Sequence, residues 1–220
     1  MIYESRVEEL GTTPYFPQEV VRRERSQART CIKEAINAGP VHRAFIRALP
    51  ADWRADPQVE IFSRVLYLKR GWYPLTPHYH FDWGRHGGVN GSPVETIMVL
   101  NGEASKTEFI LGPLEYPTKQ PPDRSVSLTP DRDPWEELVN AGLRTGVLQK
   151  WILEPNKLIR FNSHTLHRAR PAEITGWRVL IRAIRGLGKA TPNPGRFTTC
   201  RNGFIPTTAE EQSRYQSYQL

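Results

Sequence analysis

The stretch PNKLIRFNSHTLH, Pro155 to His167, sets the reading of the whole chain. Pro155-Asn156 is turn chemistry, and Lys157 to Ser163 reads as a strand bounded by that turn. His164 and His167 lie at and just past the strand's end. Two imidazoles at the rim of a sheet call for partners. Only six histidines exist: His42, His78, His80, His86, His164 and His167.

Working outward, WRVLIRAI follows as one strand and VLQKWIL precedes as another. DPWEELVNAGL, Asp133 to Leu143, reads as a short helix with Pro134 in its first turn. Leu111 to Arg132 is rich in proline and polar residues and reads as loop. VETIMVL and SKTEFIL are strands separated by Asn101-Gly102-Glu103-Ala104, where Asn-Gly signals a hairpin. Gly84 to Ser92 is a glycine-rich loop, and Val59 to Arg70 is a β-branched and aromatic strand. Upstream, Pro17 to Asn37 carries apolar residues near a helical period and is stopped by Gly39-Pro40. A shorter helix, Val41 to Leu49, follows. The tail from Lys189 is coil, with Thr207 and Thr208 ahead of Glu210 and Glu211 capping a last short helix.

Helices come first, then seven or eight short strands without strand-helix alternation. This argues against a parallel α/β sheet and for a mainly β (α+β) chain folded as an antiparallel double-sheet jelly roll with N-terminal flanking helices. The expected organisation is a helical extension over 1–56 packed on a barrel, a barrel core over 57–188 and a tail over 189–220, all in one structural domain.

Composition narrows the function. The 220 residues suffice for one cored domain. No apolar run is long enough to span a membrane. MIYESRVEEL lacks the apolar core of a secretory signal, and Cys31 and Cys200 stand far apart, so the expected compartment is the cytoplasm. The formal charge of +7 comes mostly from arginine, with seven lysines among 30 basic residues. Arginine favours carboxylates and phosphates, so the readings are an anionic small-molecule substrate, a carrier-bound substrate or nucleic acid. The basic run Arg22, Arg23 and Arg25 is interrupted by Glu24 and reads as a solvated helix face. No Gly-x-Ser-x-Gly and no phosphate-binding glycine loop occurs.

The second decisive stretch is PHYHFDW, Pro77 to Trp83. In a strand His78, His80 and Asp82 share one face, while Tyr79, Phe81 and Trp83 share the other. Imidazoles and a carboxylate turned into an apolar interior are costly unless paired or bound to a cation. A metal ion is therefore suspected here, and His164 and His167 at the strand end are the natural partners from elsewhere in the chain.

Together, His80-Phe81-Asp82 and the segment from Pro155 to Arg178 resemble the iron(II)/2-oxoglutarate-dependent oxygenase family. Phe161 to His167 is six residues and His167 to Arg178 eleven, matching the family's intervals. The resemblance covers about Val59 to Arg185. It implies a double-stranded β-helix, iron(II) on His80, Asp82 and His167, and Arg178 as the 2-oxoglutarate anchor. It also implies consumption of O2, release of succinate and CO2, and hydroxylation or desaturation of a small molecule. His164 is the alternative third ligand and Arg182 the alternative anchor. The presence of Asp82 disfavours halogenation. The family's DNA-repair branch carries paired arginines six apart. Ile184 and Gly188 stand six beyond Arg178 and Arg182, which weakens the nucleic-acid reading.

The rival is a cupin-type barrel, a binding protein or isomerase, using His78 and His80. It lacks a glutamate soon after His80 and has Pro155-Asn156-Lys157 where a Pro-x-Gly is expected. Arg85, His86 and Asn90, in the loop after Asp82, are candidate substrate contacts.

Overall fold

The computed structural model describes residues 2–74, 79–82, 93–115 and 134–187. Its strands are β1 (Ile2–Ser5), β2 (Glu8–Thr12), β3 (Thr30–Cys31), β4 (Glu60–Leu68), β5 (Glu95–Asn101), β6 (Thr107–Glu115), β7 (Gln149–Leu153), β8 (Lys157–Asn162), β9 (His167–Ala169) and β10 (Gly176–Arg185). The helices are α1 (Gln18–Val21), α2 (Ile32–Ala35), α3 (Pro40–Ala48), α4 (Ala51–Ala55) and α5 (Pro134–Thr145). The protein is β-rich, and every strand pairing among these residues is antiparallel.

One sheet has six strands in the order β2-β8-β5-β10-β4-β3. The other has four, β1-β6-β7 with β9 also on β6. Strand β10 sits inside the larger sheet, pairing with β4 and β5, so its near-continuous apolar run has neighbours on both edges. Side chains alternate faces. Ile61, Val65, Ile97, Val99, Val179 and Ile181 turn outward against Val21, Phe45, Ile46 and Trp53 of the N-terminal helices. Met98, Leu100, Ile159, Phe161 and Leu180 turn inward and meet Phe109 and Leu153 of the smaller sheet. Helix α5 covers that sheet's outer face with Trp135 and Val139 on Ile110, Leu114 and Leu148.

Several local expectations are corrected. The helix over Pro17–Asn37 is replaced by the short α1 and α2, with extended chain between them. Ser26 Oγ accepts from Val65 N–H at 2.9 Å, Gln27 and Ser63 exchange backbone bonds, and β3 pairs with Ile61 and Glu60. This segment covers the free edge of β4, and satisfying that edge outweighs helix propensity. The first dozen residues, assigned to a helical extension, form β1 and β2 and join both sheets. Ion pairs from Glu9 to Lys157 and from Glu8 to Arg160 line the β2–β8 pairing. Leu111 to Glu115, read as loop, continues β6 because β1 supplies a partner for residues 112–115.

The Asn101-Gly102 signal does not make a hairpin. Strand β5 lies in the larger sheet and β6 in the smaller, so the chain crosses between sheets here. Gly102 is required because φ is +96° and a Cβ would stand 2.4 Å from the Trp177 carbonyl oxygen. Helices α3 and α5 fall where the sequence places them, and β9 and α4 are additional. The glycine loop, the tail and the expected last helix lie outside the described residues. Among the described residues, no helix is long and apolar enough to cross a membrane.

Candidate metal centre

His80 and His167 are held by their own backbones. The His80 N–H donates to the His167 carbonyl at 2.9 Å, and the His167 N–H donates to the His80 carbonyl at 3.1 Å. Residues opposed in this way share a face, and the two rings stand 4.6 Å apart between centroids. Tyr79 and Phe81 turn the other way, into the cluster under α5, where Phe81 meets Trp135 edge-on at 4.9 Å. Asp82, two residues after His80, returns to the inner face. Ligand atoms of His80, Asp82 and His167 all lie within 4.8 Å of one another, and Asp82 Oδ2 is 3.3 Å from His167 Nε2. His167 is 1% exposed, and its ring is boxed by Phe109 and Phe161 at 5.3 and 5.5 Å.

The second ring nitrogen of His167 fixes which atom meets the cluster. His167 Nδ1 lies 3.0 Å from the Thr165 carbonyl oxygen. A carbonyl only accepts, so Nδ1 carries a proton and Nε2 is the nitrogen turned toward the cluster. Nε2 faces the Asp82 carboxylate at 3.3 Å and makes no hydrogen bond among the described residues. A cation between this nitrogen and the carboxylate, a proton or a metal ion, satisfies both. Two imidazoles and one carboxylate suit a divalent first-row metal, iron(II) among them. The residues present therefore fit such an ion.

Two arginines of β10 face the same space. The Arg182 Nη1 donates to Asp82 Oδ2 at 2.5 Å. Burial would raise the Asp82 carboxyl, but Arg182, His167 and His80 offset it and hold it well below the usual range. Arg178 is 3% exposed. Its Nη2 donates to Thr107 Oγ1 at 3.3 Å, its Nε has no partner, and no carboxylate pairs with it among the described residues. Burial, then the nearby Arg182 and Arg64, push its pKa from 12.5 down to about 9. A guanidinium stays charged at neutral pH, so Arg178 is a buried cation without an acidic partner among the described residues.

Behind the ligands lies a second polar layer. Glu108 of β6, 3% exposed, accepts from the Tyr79 hydroxyl and from Arg168 Nε at 3.1 Å. Arg168 stacks over the Tyr79 ring at 4.2 Å and donates to Glu136 of α5 at 3.0 Å. Burial and the bond to Glu108 push the Tyr79 phenol up. Tyr79 and Arg168 are the chain neighbours of His80 and His167, so Glu108 clamps the segments of both candidate ligands from behind. Nothing in the local sequence singles out Glu108. It is one carboxylate in SKTEFIL, and only the pairing of Glu108 with Arg168 reveals it.

The structure brings His80, Asp82, His167, Arg178 and Arg182 into one inter-sheet space. His164 stays out of the cluster, in the turn where its N–H donates to Asn162 Oδ1 at 2.9 Å. Arg182, the alternative anchor, is engaged by Asp82, whereas Arg178 is not engaged by any acid among the described residues. His78, Arg85, His86 and Asn90 lie outside the described residues.

No family model matches the chain, and no curated protein matches it closely enough to stand as a relative. Solved structures show remote likeness. AviO1 from Streptomyces viridochromogenes is 13% identical, with a TM-score of 0.43 over 87% of this chain and 94% of that one. EvdO2 from Micromonospora carbonacea var. aurantiaca, solved with 2-oxoglutarate, is 16% identical, with a TM-score of 0.40 over 70% of this chain and 62% of that one. An N-substituted L-amino acid dioxygenase from Burkholderia ambifaria is 17% identical, with a TM-score of 0.34 over 69% of this chain and 61% of that one. At such scores the likeness bears no weight, and function has to be argued from the side chains of this chain.

Proposed function

We propose that the protein is an iron(II)/2-oxoglutarate-dependent oxygenase that hydroxylates or desaturates a small molecule, on a double-stranded β-helix. The observation that carries this reading is the pairing of two unmet demands in one space. Among His80, Asp82 and His167 an imidazole nitrogen without a hydrogen bond confronts a carboxylate, and Arg178 is a buried cation with no carboxylate partner among the described residues. A metal chelated by a dicarboxylate answers both at once.

In this reading His80, Asp82 and His167 hold the metal. Arg178 binds the far carboxylate of 2-oxoglutarate, with the Thr107 hydroxyl beside it to share that oxygen. When bound, iron(II) with 2-oxoglutarate supplies oxygen activation that ends in succinate, CO2 and an oxidised substrate. The chain's own part is placement and exclusion. Thr165 fixes the His167 tautomer, Arg182 steadies Asp82, and Phe109, Phe161 and Leu180 keep water from the inner face. The ligands lie on paired backbone rather than on loops alone, which gives the site its rigidity.

The test is anaerobic addition of iron(II) and then 2-oxoglutarate, watching for the weak visible metal-to-ligand charge-transfer band. Wild type should develop it, and Asp82→Ala should neither retain iron nor show it. Wild type that binds iron yet shows no band would overturn the reading.

A further inference from the structure

Strand β4 places a third arginine on the same inner face. Arg64 is opposite Leu180 in the β4–β10 pairing, with Leu66 opposite Arg178 and Phe62 opposite Arg182. Opposed residues share a face, and the residues two further along the partner strand are diagonal neighbours. Arg64 is thus flanked diagonally by Arg178 and Arg182, and its charge is among those that depress Arg178. Like charges so placed repel. Three guanidinium groups converge on one side of the inter-sheet space.

Their compensation is uneven. Arg182 has Asp82. Arg178 has only a hydroxyl. Arg64 is half-buried, its guanidinium carbon lies 5.6 Å from the centre of the Phe62 ring, and no carboxylate pairs with it among the described residues. Within the oxygenase reading, the metal adds two positive charges and 2-oxoglutarate brings two negative ones. One carboxylate of the cosubstrate goes to the metal and the other to Arg178. The metal and its cosubstrate therefore cancel, and the Arg182–Asp82 pair cancels. With Arg178 and Arg64 counted, the inner face keeps a net charge of +2 among the described residues, and Arg178 is met by the cosubstrate while Arg64 is met by no anion. Arg64, the more exposed of the two, is the one an incoming molecule can reach.

We propose that Arg64 anchors an anionic group, a carboxylate or a phosphate, on the primary substrate. Phe62 and Leu66 flank Arg64 on the same face of β4, so the favoured ligand is an organic anion with an apolar body. The fork of a guanidinium bonds two oxygens of either group. Because Arg64 neighbours both Arg178 and Arg182, an anion held there lies next to the cosubstrate and the metal ligands, as a molecule to be oxidised must. This inference rests on the oxygenase reading for its charge balance.

The experiment uses whole protein loaded anaerobically with iron(II) and saturating 2-oxoglutarate, and it reads the visible band. Formation of the band tests the oxygenase reading by itself. Acetate and inorganic phosphate are then titrated separately as probes. In wild type one of them should perturb the band saturably, and which one does separates a carboxylate from a phosphate substrate. Arg64→Gln should form the same band at the same 2-oxoglutarate concentration but need roughly tenfold more probe, as expected when a charge-assisted fork is lost at a partly exposed site. Arg64→Lys should recover part of the response. Three results would overturn the proposal: a wild-type band that neither anion perturbs, a probe response unchanged in Arg64→Gln (an adventitious ion only), or a loss of 2-oxoglutarate binding in Arg64→Gln. The last would assign Arg64 to the cosubstrate's carboxylate.

Discussion

Two histidine-carboxylate clusters lie on opposite faces of the larger sheet, and they differ in how they end. On the helix side, Glu24 accepts the Val41 N–H at 2.8 Å and the His42 N–H at 3.3 Å, and it also bonds His42 Nδ1. His42 Nε2 lies 2.7 Å from Ser63 Oγ, and that oxygen accepts the Gln27 N–H at 2.8 Å. With Nδ1 protonated, His42 donates to Glu24 and accepts from Ser63, so every member is satisfied. The arrangement has the residue types of a hydrolase triad, but Ser63 is 1% exposed and its oxygen is engaged twice over. It ties α3 to β4. On the inner face the same residue types stop short: His167 Nε2 confronts Asp82, and Arg178 lacks an anion among the described residues. A closed polar network stabilises, while an open one waits for a ligand. Satisfaction of hydrogen bonds, more than residue type, separates framework from site here.

Substitutions can break that contrast or sharpen it. The largest effect on stability should come from the closed cluster. Glu24→Ala removes the cap of α3 and strands His42, costing about 3–5 kcal/mol in denaturant unfolding, while iron binding by the folded protein stays as in wild type. Next comes Arg182→Met, which leaves Asp82 without its cation. Metal-free protein should lose about 2–4 kcal/mol, and the deficit should shrink once iron(II) is added. An equal deficit with and without metal would show that Asp82 is not a ligand. Glu108→Gln, which weakens the clamp behind both histidines, should lower metal affinity by roughly 10–100-fold in a chelator competition. Its unfolding midpoint should move far less than that of Glu24→Ala. The smallest change in stability belongs to Arg178→Met. Removing a poorly compensated buried charge should leave the ligand-free protein unchanged or more stable by about 1 kcal/mol. A clear loss would mean that Arg178 is already compensated.

Much of this was legible in the sequence because it rests on local pattern. Strands β4, β8 and β10 are continuous β-branched and aromatic runs, α5 begins at a proline, and alternation in HYHFD puts His80 and Asp82 on one face. What was not legible depends on partners distant in sequence. Strand β1 explains why Leu111 to Glu115 extends β6. The free edge of β4 explains why the segment around Gln27 is not helical. Gly102 answers to the Trp177 carbonyl rather than to a hairpin turn. The roles of the arginines divide the same way. Spacing distinguishes Arg178 from Arg182 only weakly, whereas the bond from Arg182 to Asp82 separates them directly. Arg64 carries no signal at all until register sets it beside them.

The central claim is that Arg178 is a carboxylate site beside a metal site, and anaerobic titration of the iron(II)-loaded protein with 2-oxoglutarate tests it most directly. Arg178→Ala should keep iron bound while losing about 2–5 kcal/mol of 2-oxoglutarate affinity, because a desolvated carboxylate loses its charged partner. Arg178→Lys should recover only part, since an ammonium cannot form the fork. Undiminished 2-oxoglutarate binding in Arg178→Ala, with iron in place, would contradict the account.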